Sequence, residues 1–305
     1  MMVALILAVF SIHGLLSAEE RAPRLVVASY NVNNYRLMPS GRRAPRPESE
    51  RIEVMRAILF GDPDIIALQE IGSLSALNAL MGGLEAEGAP YPYWEFLPMS
   101  DQDIQCAVLS RYPIVESRSR DRVEFVLYGR TFSMLRGLME LDIQVAENFR
   151  LTLMNVHLKS RLPVWFADEA DYRLSEAQVL RERISEILDR DSGVNLIVLG
   201  DFNDTPDSRV VKTVIGRGKK GLNDARPIEL CSGLGNFLDQ SRNERSGVAW
   251  THHFGRQDGY YRYDYVLFSD QLKPQWIAEE SRIPSFSNWA IASDHRLIQA
   301  SFRFR

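Results

Sequence analysis

With 305 residues, 45% of them hydrophobic and 25% charged, the chain has the composition of a soluble globular protein and is long enough to bury a large core. Its formal net charge of −4 excludes a general basic surface that would hold nucleic acid. What remains is a local rim, for which Arg42, Arg43, Arg46, Lys159, Arg161, Arg217, Lys219 and Lys220 are the candidates, each also readable as a solvated surface charge.

In chain order, the apolar run Val3 to Phe10 and the segment ending at Ala18 read as a signal peptide over residues 1–18, so a periplasmic or secreted protein is expected. No Lys or Arg precedes that run, and it is too short and interrupted to span a membrane. Residues 19–305 read as one domain, because polar residues at strand ends are spread over the whole length and make chemical sense only when gathered. Leu25–Ser29 is a strand leading to Asn31. Pro47–Phe60 is a helix, with Ile52, Met55, Ile58 and Leu59 at helical spacing and Glu48 and Glu50 in its first turn. The strand Ile65–Gln69 ends on Glu70, and a helix follows over Ser73–Glu87. Strands are expected at Tyr91–Leu97, Ala107–Ser110 and Arg136–Val145, with Arg111 in a structural salt bridge. Leu151–Val156 leads to His157-Leu158-Lys159-Ser160, and Asp168–Arg190 is a helix whose stripe includes Leu174, Ala177, Leu180 and Ile184, with Arg and Glu on the other face. Leu196–Leu199 runs into Gly200-Asp201-Phe202-Asn203, after which Asp204-Thr205-Pro206 reads as a helix cap with Pro at the first helical position. Tyr263–Phe268 and Leu297–Phe304 are the last strands, with Ser293-Asp294-His295 between them. Strands interleaved with helices in this way indicate an α/β fold. Cys106 and Cys231, the only cysteines, read as two buried thiols, with pairing left open.

These strand ends carry one kind of chemistry. Asp201 and Asn203, two apart past a buried strand, offer a carboxylate and an amide to a common site. Glu70 follows a run of buried apolar residues, where a carboxylate is costly unless paired or bound to metal. His157 and His295 are two of only five histidines, and both stand in such positions. A carboxylate and an amide so placed are what phosphate or water activation needs.

In kind, order and spacing, the segments around Asn31, Glu70, His157, Gly200-Asp201-Phe202-Asn203, Asp264 and Ser293-Asp294-His295 resemble the endonuclease/exonuclease/phosphatase superfamily of metal-dependent phosphoesterases, from about Val26 to the C-terminus. The resemblance implies a four-layer sandwich, two mixed β-sheets packed face to face with helices outside and the site at one edge. It implies Mg²⁺, with Mn²⁺ or Ca²⁺ as alternatives, held chiefly by Glu70 with Asn31 beside it and Asp294 at the same or a second ion. Asp201 is expected to deprotonate the attacking water and Asn203 to hold the scissile phosphate. His295, kept protonated by Asp264, would bind a non-bridging oxygen, and His157 would act on the leaving-group side, though the sequence identifies no carboxylate partner for it. Lys159, Arg136 and Thr251 are candidate substrate contacts, whereas His252 and His253 read as surface residues.

Departures narrow the choice of substrate. Arg262-Tyr263-Asp264-Tyr265 and Asp204-Thr205-Pro206 differ from the segments of inositol polyphosphate 5-phosphatases. The export signal and Asn33 differ from apurinic-site endonucleases. An exported nuclease, favoured by the Arg42–Arg46 loop, and a sphingomyelinase-like phospholipid phosphodiesterase both stay open. The second would insert aromatics into a bilayer, with Trp165-Phe166 or Phe286 and Trp289 as candidates, each pair read first as core. A catalytically inactive binding protein is the third reading, opposed by the presence of every expected site residue. No protein partner is evident, and a monomer is expected.

Overall fold

The computed structural model describes residues 23–41, 43–99, 104–229 and 247–304. Its long strands are apolar on both faces, and that fixes how they stack. In β1 (Arg24–Tyr35), Leu25 and Val27 enter one core while Ala28, Tyr30 and Val32 enter another. The same division recurs in β2 (Ile65–Ile71), where Ile65 and Ala67 oppose Ile66 and Leu68. It recurs again in β10 (Leu196–Asp201), where Ile197 and Leu199 oppose Leu196 and Val198. Side chains alternate across a strand, so a strand buried on both faces must be covered on both.

The first sheet runs β15 (Trp276–Arg282), β16 (Ile298–Arg303), β1, β2, β4 (Gln105–Ser110), β3 (Tyr93–Leu97). The second runs β11 (Asn223–Asp224), β14 (Asp264–Phe268), β10, β9 (Phe149–His157), β8 (Met139–Ala146), β5 (Ile114–Ser117). Each sheet holds one parallel pair at its centre, β1 with β2 and β9 with β10, flanked by antiparallel neighbours. The inner faces meet in the central core. Helices α1 (Glu48–Gly61) and α2 (Leu74–Ala86) cover the outside of the first sheet, and α3 (Glu169–Arg190) and α4 (Arg209–Ile215) cover the second. This is the expected four-layer sandwich. Each fully buried Leu, Ile, Val or Phe in it contributes about 1.5–3 kcal/mol.

The parallel pairs also explain where function can sit. The C-terminal ends of β1, β2, β9 and β10 emerge on one edge, carrying Asn31, Glu70, His157 and Asp201. Register then brings in the rest, since Asp201 pairs directly with Asp264 and His157 with Asp201. Gly200 makes that register possible. Its φ is +138°, and a Cβ there would meet the Val156 carbonyl oxygen of β9 at 1.9 Å. We therefore expect Gly200→Ala to cost at least about 1–3 kcal/mol in a urea titration and to displace Asp201; a variant of unchanged midpoint and activity would refute this reading.

Several local expectations need correction. The helix after Asp201 begins at Arg209, and its cap is Ser208, whose hydroxyl accepts the Val211 N–H at 3.2 Å. Asp204 does not cap it, because both its carboxylate oxygens are taken by Arg161 (3.1 Å) and the fully buried Arg173 (3.0 Å). Arg136 precedes its strand in a turn, which Gly137 at φ +62° closes against the Arg120 carbonyl. The long helix is capped by Asp168, accepting from Ala170 and Asp171, but Arg173, Glu176 and Arg183 on its expected solvent face are buried. Arg111 does pair with Asp62 and Asp64. Cys106 is buried in the central core, while Cys231, Arg42 and the proposed signal peptide lie outside the described residues. Among the described residues no helix is long and apolar enough to cross a membrane.

Candidate active site

Asp201 is the hub of the edge where the strands end. Its Oδ2 accepts from Asn31 Nδ2 at 3.0 Å and Asn203 Nδ2 at 3.1 Å, and Oδ1 accepts the Asn203 backbone N–H at 2.8 Å. Two imidazoles face the same oxygen, His157 Nε2 at 3.5 Å and His295 Nε2 at 3.7 Å. His157 Nε2 is also 3.9 Å from Glu70 Oε1. Side chains from both sheets, up to 264 residues apart in the chain, thus converge within a few ångströms. Asn203 stands at φ +52° and Glu70 at φ +67°, a region that costs a non-glycine residue about 1–3 kcal/mol. For Glu70 the cause is visible: β1 and β2 both slip register beside it, and its Oε2 caps the Asn34 N–H at 2.9 Å.

The two histidines differ in charge. Burial alone would lower the His295 pKa, but Asp264, with Oδ2 2.8 Å from Nδ1, and Asp201 outweigh it and raise it to about 10. Burial, reinforced by Arg136 and by His295, holds His157 well below the ordinary imidazole range. Near neutral pH His295 is therefore a cation and His157 is not. Burial also raises Asp201, with Asp264 adding to the shift and His295 opposing it. A carboxyl raised in this way is better suited to take up a proton near neutrality.

The remaining expected residues separate into two groups. Arg136 is buried, its Nε and Nη1 have no hydrogen-bond partner, and its charge acts on His157 and Lys159. Two unpartnered N–H groups on a buried guanidinium close enough to act on His157 are suited to an anion. Lys159, by contrast, turns its ammonium to the Ser160 and Leu162 carbonyls, and burial with Arg136 and Arg173 lowers its pKa to about 8. Thr251 is buried, with its hydroxyl oxygen accepting the N–H groups of Tyr263 and Asp264 at 3.0 Å each, so it fixes Asp264. Asn203 spends both amide hydrogens on Asp201 and the Leu158 carbonyl. It positions the hub in this arrangement, where a phosphate contact was expected. Asp294 sits with His252 and His295, the three offering ligand atoms within 4.8 Å of one another. Burial works against its charge, but His252 at 3.8 Å and the cationic His295 hold its carboxyl below the usual range. His252 and His253 are half-buried among aromatic rings.

The profile of the Endonuclease/Exonuclease/phosphatase family matches residues 28–295. The chain belongs to this family. Members hydrolyse phosphoester bonds, and the chain shares their fold. Among solved structures, the human Nocturnin catalytic domain with bound sulfate superposes with a TM-score of 0.61 at 21% identity, covering 93% of this chain and 96% of that one. Truncated Caenorhabditis elegans TDP2 gives 0.58 at 18% identity over 92% and 98%. Staphylococcus aureus beta toxin 275-280 gives 0.58 at 14% over 90% and 99%. No curated protein sequence matches the chain.

A divalent cation fits the donor set of this family member. Glu70 offers Oε1 toward the hub while Oε2 is tied to Asn34, and Asn31 offers a carbonyl oxygen that otherwise receives only the Asn33 N–H. A carboxylate and an amide oxygen are hard donors of the kind a divalent cation takes.

Sequence reading missed the supports beneath the site. Glu176 is fully buried, and its carboxylate accepts the Leu135 N–H (3.0 Å) and the Lys159 N–H (2.6 Å). Burial raises its pKa. Three residues earlier on the same helix face, Arg173 binds Asp204 and the Lys159 carbonyl. One turn of α3 therefore ties together the loops that carry Arg136, His157 and Asn203. Between the sheets, Asn155 accepts from Gln69 and donates to the Leu68 and Ala107 carbonyls, joining the layers under Glu70. An Asn inside a run of buried apolar residues is the only signal the sequence offered for it.

Proposed function

We propose that the chain is a divalent-cation-dependent phosphodiesterase acting by in-line attack of water, with nucleic acid as its substrate. The observation that carries this reading is the shared position of Asp201, bonded to two amides and faced by a cationic and a neutral imidazole. Asp201 takes the proton of the attacking water, and Asn31 and Asn203 hold its carboxylate still while it does so. His295 donates from Nε2 to a non-bridging oxygen and supplies positive charge as the transition state gathers negative charge. Arg136 offers its unpartnered N–H groups to the same phosphate. His157, neutral, is within reach of the hub as a donor from Nε2. A cation held by Glu70 and Asn31, when bound, would supply Lewis-acid charge to the phosphate oxygens. The Nocturnin domain's bound sulfate shows that a member of this fold accepts a tetrahedral anion. Export belongs to the same proposal, on the strength of the apolar N-terminal run.

The Arg42–Arg46 loop gives this reading less help than the sequence suggested. Arg46 is buried, and its guanidinium is spent on carbonyls of Val32, Asn33 and Ala292. A lipid phosphodiesterase is the second reading, favoured by one observation. Trp165, expected as core, is 92% exposed in the loop after Lys159, with Leu162 at 65% beside it, whereas Phe166 does pack on Phe132 and Tyr172.

Assays of the purified protein on single-stranded DNA, RNA, sphingomyelin vesicles and a chromogenic diester decide between them. EDTA is expected to lower turnover by at least about 100-fold, with recovery on adding Mg²⁺ or Mn²⁺. Turnover that survives EDTA would remove the cation from the mechanism. Inactivity on every substrate would favour a binding protein that has kept the fold.

A further inference from the structure

Beyond the hub, the chain has a second concavity that the hydrolytic groups do not use. It is a cavity of about 460 Å³ that begins where the site ends, with Asp294 on its near side. The hairpin β12 (His252–Phe254) and β13 (Gly259–Tyr261) forms one wall, and α5 (Trp289–Ala292) forms another. The hairpin is locked to the site, since the His253 N–H donates to the Asp294 carbonyl at 2.9 Å and His252 bridges His295.

Two properties of the lining point to a ligand. The first is a fixed aromatic wall. His253 stacks on Tyr260 with centroids 4.7 Å apart, Trp289 meets His253 edge-on at 6.2 Å, and Trp250 meets Trp289 at 5.0 Å. Arg296 lies over Trp250 at 4.5 Å and holds that ring from behind. The second is Arg256, an exposed cation on the hairpin turn with no ion pair among the described residues. Planar rings beside an uncommitted cation, next to a site for a phosphodiester, match the nucleotide adjoining the scissile bond: a base to stack, a flanking phosphate to neutralise. A quaternary-ammonium headgroup would also favour the rings and Asp294, but that carboxylate already faces His252 and His295, which leaves Arg256, a repelling charge, as the uncommitted one. A base inside a duplex has both faces covered, so only an unpaired one reaches such a wall.

We propose that this cavity, lined by His253, Phe254, Arg256, Trp289 and Asp294, is a subsite for the base and phosphate of a nucleotide flanking the cleaved bond in single-stranded nucleic acid. The inference rests on the phosphodiesterase reading and names its substrate class.

The test compares wild type, Trp289→Leu and Arg256→Ala on a single-stranded oligonucleotide, on methyl p-nitrophenyl phosphate and on sphingomyelin vesicles. Trp289→Leu is expected to lower kcat/KM on the oligonucleotide by about 5- to 100-fold, and to leave it nearly unchanged on the small diester, which carries no flanking nucleotide. Arg256→Ala, on an exposed turn, is expected to reduce the salt dependence of log kcat/KM on the oligonucleotide by about 0.7. Equal losses on both diesters, or an unchanged salt slope, would overturn the subsite while leaving the phosphodiesterase intact. Wild-type cleavage of sphingomyelin but not of the oligonucleotide would overturn it in favour of a lipid headgroup. Wild-type inactivity on all three would instead bring down the reading on which the subsite rests.

Discussion

Replacing Asp201 by asparagine is expected to lower kcat by about 10²–10⁴-fold while changing stability at pH 7 by no more than about 1–2 kcal/mol. The two halves have one cause. Burial, with Asp264 adding to it, raises the Asp201 pKa, so folding favours its protonated form. The ionised group therefore costs stability, increasingly as pH rises from the unfolded pKa through the folded one. An amide of the same shape removes that cost. Against it stands a lost acceptor, because Asn31 and the side chain and backbone of Asn203 all donate to this carboxylate. The two effects oppose each other in stability, but both act against turnover, since an amide takes no proton from water. Single-turnover kinetics and urea midpoints measured on the same preparation check this. A variant that unfolds readily would make Asp201 a structural residue, and one that keeps near-normal turnover would remove it as the base.

What the sequence made legible follows from burial. Strands apolar on both faces stand out as unbroken runs, and the polar residue that ends each run must face an edge; hence Asn31, Glu70, His157 and Asp201 were readable as a set. Strands covered on one face only gave no such signal. Strand β5, with Val115, Glu116 and Ser117 exposed, and the hairpin formed by β6 (Glu124–Leu127) and β7 (Arg130–Ser133) were missed for that reason. Long charged side chains misled in a different way. Arg46, Arg173 and Glu176 have the composition of a solvated face, yet each is buried on backbone groups that nothing in a linear pattern places nearby. For Thr251 and Asn203, position near the hub was readable, whereas the hydrogen bonds that tie them to Asp264, Asp201 and Leu158 were not.

Asp264→Asn is expected to leave His295 in place but take away its proton over part of the working range. His295 is held at about 10 against a burial that would lower it, and the largest opposing influence is Asp264, 2.8 Å from Nδ1. Loss of an opposite charge at that range moves a pKa by about 1–3 units. Titration followed by NMR in the cation-free protein should therefore find His295 between about 7 and 9. The sign then fixes the kinetics. The protonated imidazole is the active form, so the alkaline limb of the pH–rate profile must move to lower pH, with the deficit growing as pH rises from 7 and shrinking below it. Asparagine still accepts from Nδ1–H, and Thr251 still fixes the backbone of residue 264 through the N–H it accepts. Ring orientation is therefore preserved, and the shift reports charge. A His295 that continues to titrate near 10 in the variant would mean that Asp201 alone holds the proton. The buried pair at 2.8 Å would then serve orientation only, and the variant's loss of rate would be the same at every pH.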